Sequence, residues 1–224
     1  MKILLGSDFH CSKELCNEVI SKVETEHYDL FLYAGDFCNW AGYNCAQYGG
    51  CNPKGTEEVE QLFSFFDKID SFTTWFAIPG NHEPAKQILY NSYLDKYWHS
   101  KYYLHPQLSV VKDSWDTYPP IKILAIPYTP YCGWNWTLTE TINNYLLEEY
   151  RKEKVDIILT HAPPKGHLDN NIYTKWDTTL LELMELLEPK YYICGHVHEC
   201  GGMTKEVGAT TVINCATTVM EIEL

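Results

Sequence analysis

The chain has 224 residues, 45% of them hydrophobic, which is enough to enclose a core and falls in the range of one α/β domain. Its formal charge of −13 argues against a broad phosphate-neutralising surface for duplex nucleic acid, although metal cations can reverse the potential locally for a small phosphate-bearing ligand. Arg151 is the only arginine, so a phosphate here is not gripped by an arginine clamp unless Arg151 supplies it.

In chain order, KILLGSD reads as a short buried strand ending at Gly6–Asp8. Its three consecutive aliphatics are too few for the apolar region of a signal peptide. No stretch reaches the length of a transmembrane helix, so a soluble cytoplasmic protein is expected, with no membrane partner. SKELCNEVISKVE has a helical period with Leu15, Val19, Ile20 and Val23 on one side, and YDLFLYAGD is a second buried strand ending in Gly35–Asp36. The segment from Cys38 to Gly55 has no period and reads as a long loop of unassigned role, of the kind that is often functional. TEEVEQLFSFFDKI reads as a helix with an acidic first turn. TTWFAIPGNHE is a third strand running into a turn, and PAKQILYNSYLDKYW a helix with proline at its first position.

QLSVVK and IKILAIPY follow as strands, TETINNYLLEEYRK as a helix and VDIILTHAPP as a strand with a polar end. DTTLLELMELL is a helix, KYYICGHVH a strand, and TTVINCA and TVMEIEL close the chain as strands. Strands alternating with helices and then giving way to β structure predict a layered α/β or α+β fold. No repeat, low-complexity tract or linker divides it, so residues 1–224 are expected to form one domain. Nine cysteines, an odd number with no C-x-x-C pair, fit reduced thiols better than a disulfide framework. The alternative is a zinc cluster at Cys38, Cys45 and Cys51.

Five strands end in residues able to bind metal: Asp8 and His10, Asp36, Asn81 and His82, His161, and His196 and His198. Ligands of α/β sheets bind outside the carboxyl ends of strands, so residues distant in sequence can converge there. Taken singly, Gly-Asp is a turn and His-Ala-Pro-Pro a strand exit; together they are hard to assign to chance. Carboxylates, imidazoles and one amide without cysteine suit Mn, Fe, Zn or Ni. So many candidate ligands exceed the needs of one ion and suit two. A bridging carboxylate brings two cations to about 3.5–4 Å, where they clamp a phosphoryl oxygen and acidify a bridging water into a hydroxide nucleophile.

These blocks resemble the calcineurin-like metallophosphoesterases, whose order is D-x-H, G-D, G-N-H-[DE], H and G-H-x-H. Here they read DFH at Asp8, GD at Gly35, GNHE at Gly80, THAPP around His161 and GHVH at Gly195. PYTPYCGWNW, HAPPKGHLD and GHVHECGG are further similar to the branch of small metallophosphodiesterases that includes the metallophosphoesterase-domain proteins. The resemblance implies a two-sheet β-sandwich flanked by helices, with a dimetal site at the strand ends. It implies His198 with Asp8, His10 and Asp36 around one ion, and His196 with Asp36, Asn81 and His161 around the other. Asp36 is the bridge. His82 is not a ligand but the general acid, or a stabiliser of charge on the leaving oxygen. Two divalent ions are expected, Mn²⁺ first, with Fe, Zn, Ni or Mg as alternatives.

Many members carry G-D-x-x-D, whose second aspartate orients the catalytic histidine; here GDFCN puts Asn39 there. The partner of His82 is then either a backbone carbonyl or Asn39 itself. The arginine that follows in protein phosphatases is absent. The expected activity is hydrolysis of a small phosphodiester, a cyclic or other nucleotide among them, with Asn39, Tyr131, Trp134 and Trp136 as candidate substrate contacts. For the three aromatics the competing role is covering the core. A phosphomonoesterase or nuclease of the same superfamily is the alternative. A non-catalytic scaffold, as in retromer-type relatives, would have lost ligands, and here every ligand position is filled.

Overall fold

The computed structural model describes residues 1–39, 53–83, 101–103, 105–112, 119–130, 136–170 and 178–224. The first strand, β1 (Lys2–Ser7), alternates its side chains between two cores, as the period of two requires. Ile3 and Leu5 point into one, and Leu4 into the other. The helix α1 (Lys13–Thr25) begins at Ser12, whose hydroxyl accepts the Leu15 N–H at 3.3 Å, and it buries Val19 and Val23. Next, β2 (Leu30–Tyr33) is buried on both faces, which is why its sequence is an unbroken apolar run. The helix α2 (Pro53–Ile69) and β3 (Thr74–Ala77) follow.

The second sheet takes β4 (Gln107–Val111), β5 (Ile121–Ile126), β6 (Ile157–Thr160), β7 (Tyr191–Cys194), β8 (Met203–Val207) and β9 (Thr210–Asn214). Two helices accompany it, α3 (Glu140–Tyr150) and α4 (Thr179–Leu187). The last strand, β10 (Thr218–Glu223), returns to the first sheet. The sheet orders are β10-β1-β2-β3 and β4-β5-β6-β7-β9-β8. The runs β1-β2-β3 and β5-β6-β7-β9 are parallel; β10, β4 and β8 pair antiparallel at the edges.

Ile3, Leu5, Leu30 and Leu32 of one sheet meet Ile123, Ile157, Leu159 and Ile193 of the other in the central layer. Burying each such side chain contributes about 1.5–3 kcal/mol. Outside the first sheet, α1 and α2 pack on Phe31, Tyr33 and Trp75, with the Phe66 and Trp75 rings 4.4 Å apart. Outside the second, Leu146, Leu183 and Met184 cover Leu124, Ile158 and Tyr192. The order of layers is helices, sheet, sheet, helices, which is the sandwich that the motifs imply.

Two expectations need correction. The long loop does not extend to Gly55, because α2 already begins at Pro53, and proline suits a first helical turn where no N–H partner is needed. And β8 has no counterpart among the expected elements: four of its five residues are exposed, so an edge strand here carries no alternating apolar pattern. The helix expected over 84–98 lies outside the described residues. Among the described residues, no helix is long and apolar enough to cross a membrane.

Candidate functional site

The parallel strands bring their carboxyl ends to one edge, and backbone bonds splice the exits together. The Asp8 N–H donates to the Gly35 carbonyl at 2.8 Å, and the His10 N–H to the Asp36 carbonyl at 3.2 Å. The His196 N–H donates to Asp8 Oδ2 at 2.8 Å. Four of these residues leave their strands with left-handed backbone: Asp8 (φ 56°), His10 (47°), Asp36 (57°) and His196 (67°). Asp and His enter that region more readily than most side chains. Two motif glycines are required by close approach. A Cβ on Gly80 would overlap Asp36 Oδ1, and one on Gly195 would overlap Ser7 Oγ and Asp8 Oδ2.

The donors fall into two groups, Asp8 with His10 and His198, and Asp36 with His161 and His196; within each, the candidate ligand atoms lie within 4.8 Å of one another. In the first, His198 Nε2 is 3.1 Å from Asp8 Oδ1 and 3.2 Å from His10 Nε2. In the second, His161 Nε2 is 3.1 Å from Asp36 Oδ2, 3.1 Å from Asn81 Oδ1 and 3.2 Å from His196 Nδ1. Asn81 is thus brought to the second group. His161 Nδ1 faces the Ala34 carbonyl at 2.7 Å and His10 Nδ1 the Cys38 carbonyl at 3.1 Å. A carbonyl only accepts, so each Nδ1 carries a proton and each Nε2 is the nitrogen turned inward. Lone pairs of nitrogen and oxygen converging on two points fit two divalent cations.

The charges agree with that fit. Burial pushes the Asp36 carboxyl up, but the His161 charge beside it more than reverses this and holds it below the usual carboxylate range. Burial raises and His161 lowers Asp8 in the same way, with a net lowering. Burial opposes a charged His161, yet Asp36 and Asp8 hold its pKa up to about 10. Burial, then His161, pushes His196 down to about 4, which leaves it a neutral ligand. Burial also lowers His10, whereas the hydrogen bond to Asp8 raises His198. A positive charge is needed between the two aspartates, and in the protein alone a proton on His161 supplies it. Asp36 also acts electrostatically on Asp8, His10 and His198 of the first group.

His82 stands beside both groups. Its ring centroid is 5.0 Å from that of His10, and its Nε2 is 4.0 Å from Asp36 Oδ2. The question of its partner resolves to a backbone carbonyl: His82 Nδ1 faces the Asn39 oxygen at 2.6 Å. The Asn39 side chain instead donates to the His10 carbonyl at 2.8 Å. Trp136 is 8% exposed and packs beside Tyr128 with ring centroids 6.5 Å apart, a position in the core. Tyr131 and Trp134 lie outside the described residues, as do Cys45 and Cys51. Cys38 is a buried free thiol whose pKa burial raises.

Two residues near the donors went unread in the sequence. The Ser7 hydroxyl donates to Asp8 Oδ2 at 2.6 Å, and Glu83 takes backbone N–H groups from the loops after β2 and β3. Burial and the Asp36 charge push the Glu83 carboxyl up to about 7 against those bonds. Its place in GNHE was the available signal for Glu83; Ser7 carried none.

The calcineurin-like phosphoesterase family model matches residues 1–200. A UPF0046 protein of Caenorhabditis elegans is 44% identical over 70 residues, 28% of this chain and 25% of that protein. Metallophosphoesterase domain-containing protein 1 of Homo sapiens is 26% identical over 165 residues, 70% of this chain and 43% of that protein. The matched stretches therefore span less than half the length of these two curated relatives. A crystal structure of a dimetal phosphatase from Danio rerio has the same fold, with a TM-score of 0.62 at 13% identity over 96% of this chain and 86% of that one. Family and donor groups together imply a dimetal centre in a phosphoric ester hydrolase fold, and the chain belongs to the calcineurin-like phosphoesterases.

Proposed function

We propose that this chain hydrolyses the phosphodiester bond of a small substrate, a cyclic or other nucleotide among them, at a centre of two divalent ions. The observation that supports this most is the pair of donor groups side by side, with His82 held against both. In this reading Asp8, His10 and His198 hold one ion, Asn81, His161 and His196 the other, and Asp36 serves both. Mn²⁺ suits this mixture of carboxylate, amide and imidazole. Bound there, the ions supply Lewis acidity toward a phosphoryl oxygen and lower the pKa of a water between them.

The remaining work falls to the chain. The Asn39 carbonyl keeps the Nδ1 proton of His82, so Nε2 is the atom that delivers a proton to the leaving oxygen. Asp36 Oδ1 accepts the His82 N–H at 2.7 Å, which ties the position of the acid to that of the bridge. The preference for a diester rests on charge. Among the described residues, the groups that most shift Asp8 and Asp36 are histidines, Ser7 and the aspartates themselves, with no lysine or arginine among them. Arg151 is exposed at the end of α3, on the approach to the amino end of β6, away from His161. A monoester dianion brings more charge and favours extra cationic contacts; a diester brings less.

The test is turnover of bis-p-nitrophenyl phosphate against p-nitrophenyl phosphate with Mn²⁺, followed by nucleotide diesters. Faster turnover of the diesters is expected. A clear monoester preference moves the chain to the phosphomonoesterases.

A further inference from the structure

We propose that Glu83 is a positioning residue that holds the loops of the metal ligands and the ring of His82 in register, through the peptide groups of residues 35–38. The proposal rests on the hydrolytic reading above and adds a residue outside both donor groups. Glu83 is 0% exposed. Its Oε1 accepts the N–H groups of Phe37 at 2.6 Å and Cys38 at 3.1 Å. Its Oε2 accepts those of Asp36 at 2.8 Å and Gly80 at 2.5 Å. One carboxylate thus takes three successive N–H groups from the loop after β2 and a fourth from the loop after β3.

The other side of the same peptide groups shows what this does. The peptide that sends the Asp36 N–H to Glu83 sends its Gly35 carbonyl to the Asp8 N–H at 2.8 Å. The next sends the Phe37 N–H to Glu83 and its Asp36 carbonyl to the His10 N–H at 3.2 Å. The third sends the Cys38 N–H to Glu83 and its Phe37 carbonyl to the Cys11 N–H at 2.7 Å. Peptide groups are planar, so fixing one end fixes the other. Glu83 therefore sets three carbonyls that carry the backbone of Asp8, His10 and Cys11.

The following peptide is held by Glu58, which accepts the Asn39 N–H at 3.0 Å, and its Cys38 carbonyl meets His10 Nδ1 at 3.1 Å. The Asn39 carbonyl then meets His82 Nδ1 at 2.6 Å. In return, Asp36 accepts the His82 N–H. Each loop thus caps the backbone of the other with a carboxylate. A glutamine at 83 has one acceptor oxygen and would aim its own N–H groups at N–H donors. An aspartate keeps the charge but is shorter by one carbon–carbon bond, about 1.5 Å.

The experiment uses the full chain as wild type, Glu83→Gln and Glu83→Asp, with folding checked by circular dichroism and thermal melting. In metal-free protein, ¹⁵N–¹H spectra of the histidine rings report which nitrogen carries the proton. The expected wild-type result is protonated Nδ1 on His10 and His82. In Glu83→Gln both rings should leave that pattern. With Mn²⁺, kcat on bis-p-nitrophenyl phosphate should fall by about 10–100-fold, the range for partners that orient ligands, with KM changing by less than about threefold. Glu83→Asp should lie between the two. A folded Glu83→Gln protein with wild-type histidine spectra and kcat overturns the proposal, even if its melting temperature drops. Should Glu83→Gln not fold, Glu83→Asp decides by the same readouts, and wild-type spectra and kcat there overturn it. If the wild-type chain hydrolyses no diester, the hydrolytic reading fails, and the histidine spectra still decide the role of Glu83.

Discussion

Replacing Asp36 with asparagine is the most direct probe of the paired site. Asp36 is 2% exposed; its Oδ1 accepts the His82 N–H at 2.7 Å, and its Oδ2 lies 3.1 Å from His161 Nε2 and 4.0 Å from His82 Nε2. Asparagine has the same shape. With its oxygen kept on the His82 N–H, it turns an NH₂ group toward His161, where a lone pair had been. The packing survives and the charge does not. At about 4 Å and an effective dielectric of about 20, a pair of unit charges is worth about 4 kcal/mol. At about 1.4 kcal/mol per tenfold, that is about 10³ in affinity, and a dication feels more. After loading with Mn²⁺ and desalting, elemental analysis of Asp36→Asn should find well below two ions per chain, calorimetry should find weakened binding, and diester hydrolysis should be lost. A folded variant that keeps two ions and normal turnover refutes the assignment of Asp36.

His82→Ala should lower kcat by about 10²–10⁴-fold, the usual contribution of a general acid, with metal content unchanged; metal lost in step with activity would make His82 a ligand or a structural residue instead. Gly195→Ala pushes a methyl group onto Ser7 and Asp8, an overpacking worth about 1–3 kcal/mol, and should reduce bound metal toward one ion by displacing Asp8 alone. Loss of both ions, or of neither, contradicts the division into two groups. Hydrogen bonds from Lys22, then Tyr28, pull the Glu221 carboxyl down from 4.5 to about 2. A depressed carboxyl contributes stability above its unfolded pKa and loses it as pH falls through the folded one. Wild type should therefore melt higher than Glu221→Gln at neutral pH, with the gap closing between pH 4.5 and about 2; a gap that persists below that window would mean that Glu221 acts through packing.

The donors were legible because a metal restricts residue type. Asp8, His10, Asp36, Asn81, His161, His196 and His198 each follow a strand whose apolar run is itself legible, so their convergence follows from the parallel sheets. What could not be read was everything carried by the backbone. The carbonyl of Asn39 that meets His82 would be there with any residue at 39. The four N–H groups that meet Glu83 have no side-chain signature either. An aspartate three residues on from a Gly-Asp pair would have been legible, and the asparagine in its place concealed a solution that does not use the side chain at all. The exposed edge strand β8 was hidden for the opposite reason, since a strand with little to bury has no pattern to show.

Three carboxylates, Asp8, Asp36 and Glu83, are buried at one edge of a chain that already carries a net charge of −13. Each is compensated differently. Asp8 takes the Ser7 hydroxyl, the His196 N–H and the His198 ring; Asp36 takes His161 and the His82 N–H; Glu83 takes four backbone N–H groups. A lysine or arginine in their place would satisfy the same charges and would also compete with a metal ion for the same lone pairs. Neutral donors and histidines do not impose that competition: an N–H group leaves the other carboxylate oxygen free, and a histidine yields its proton and becomes a ligand itself. The scarcity of fixed cations among the described residues at this edge therefore follows from the same requirement as the ligands. The site must hold negative charge stably in the protein alone and still present it, unpaired, to two ions.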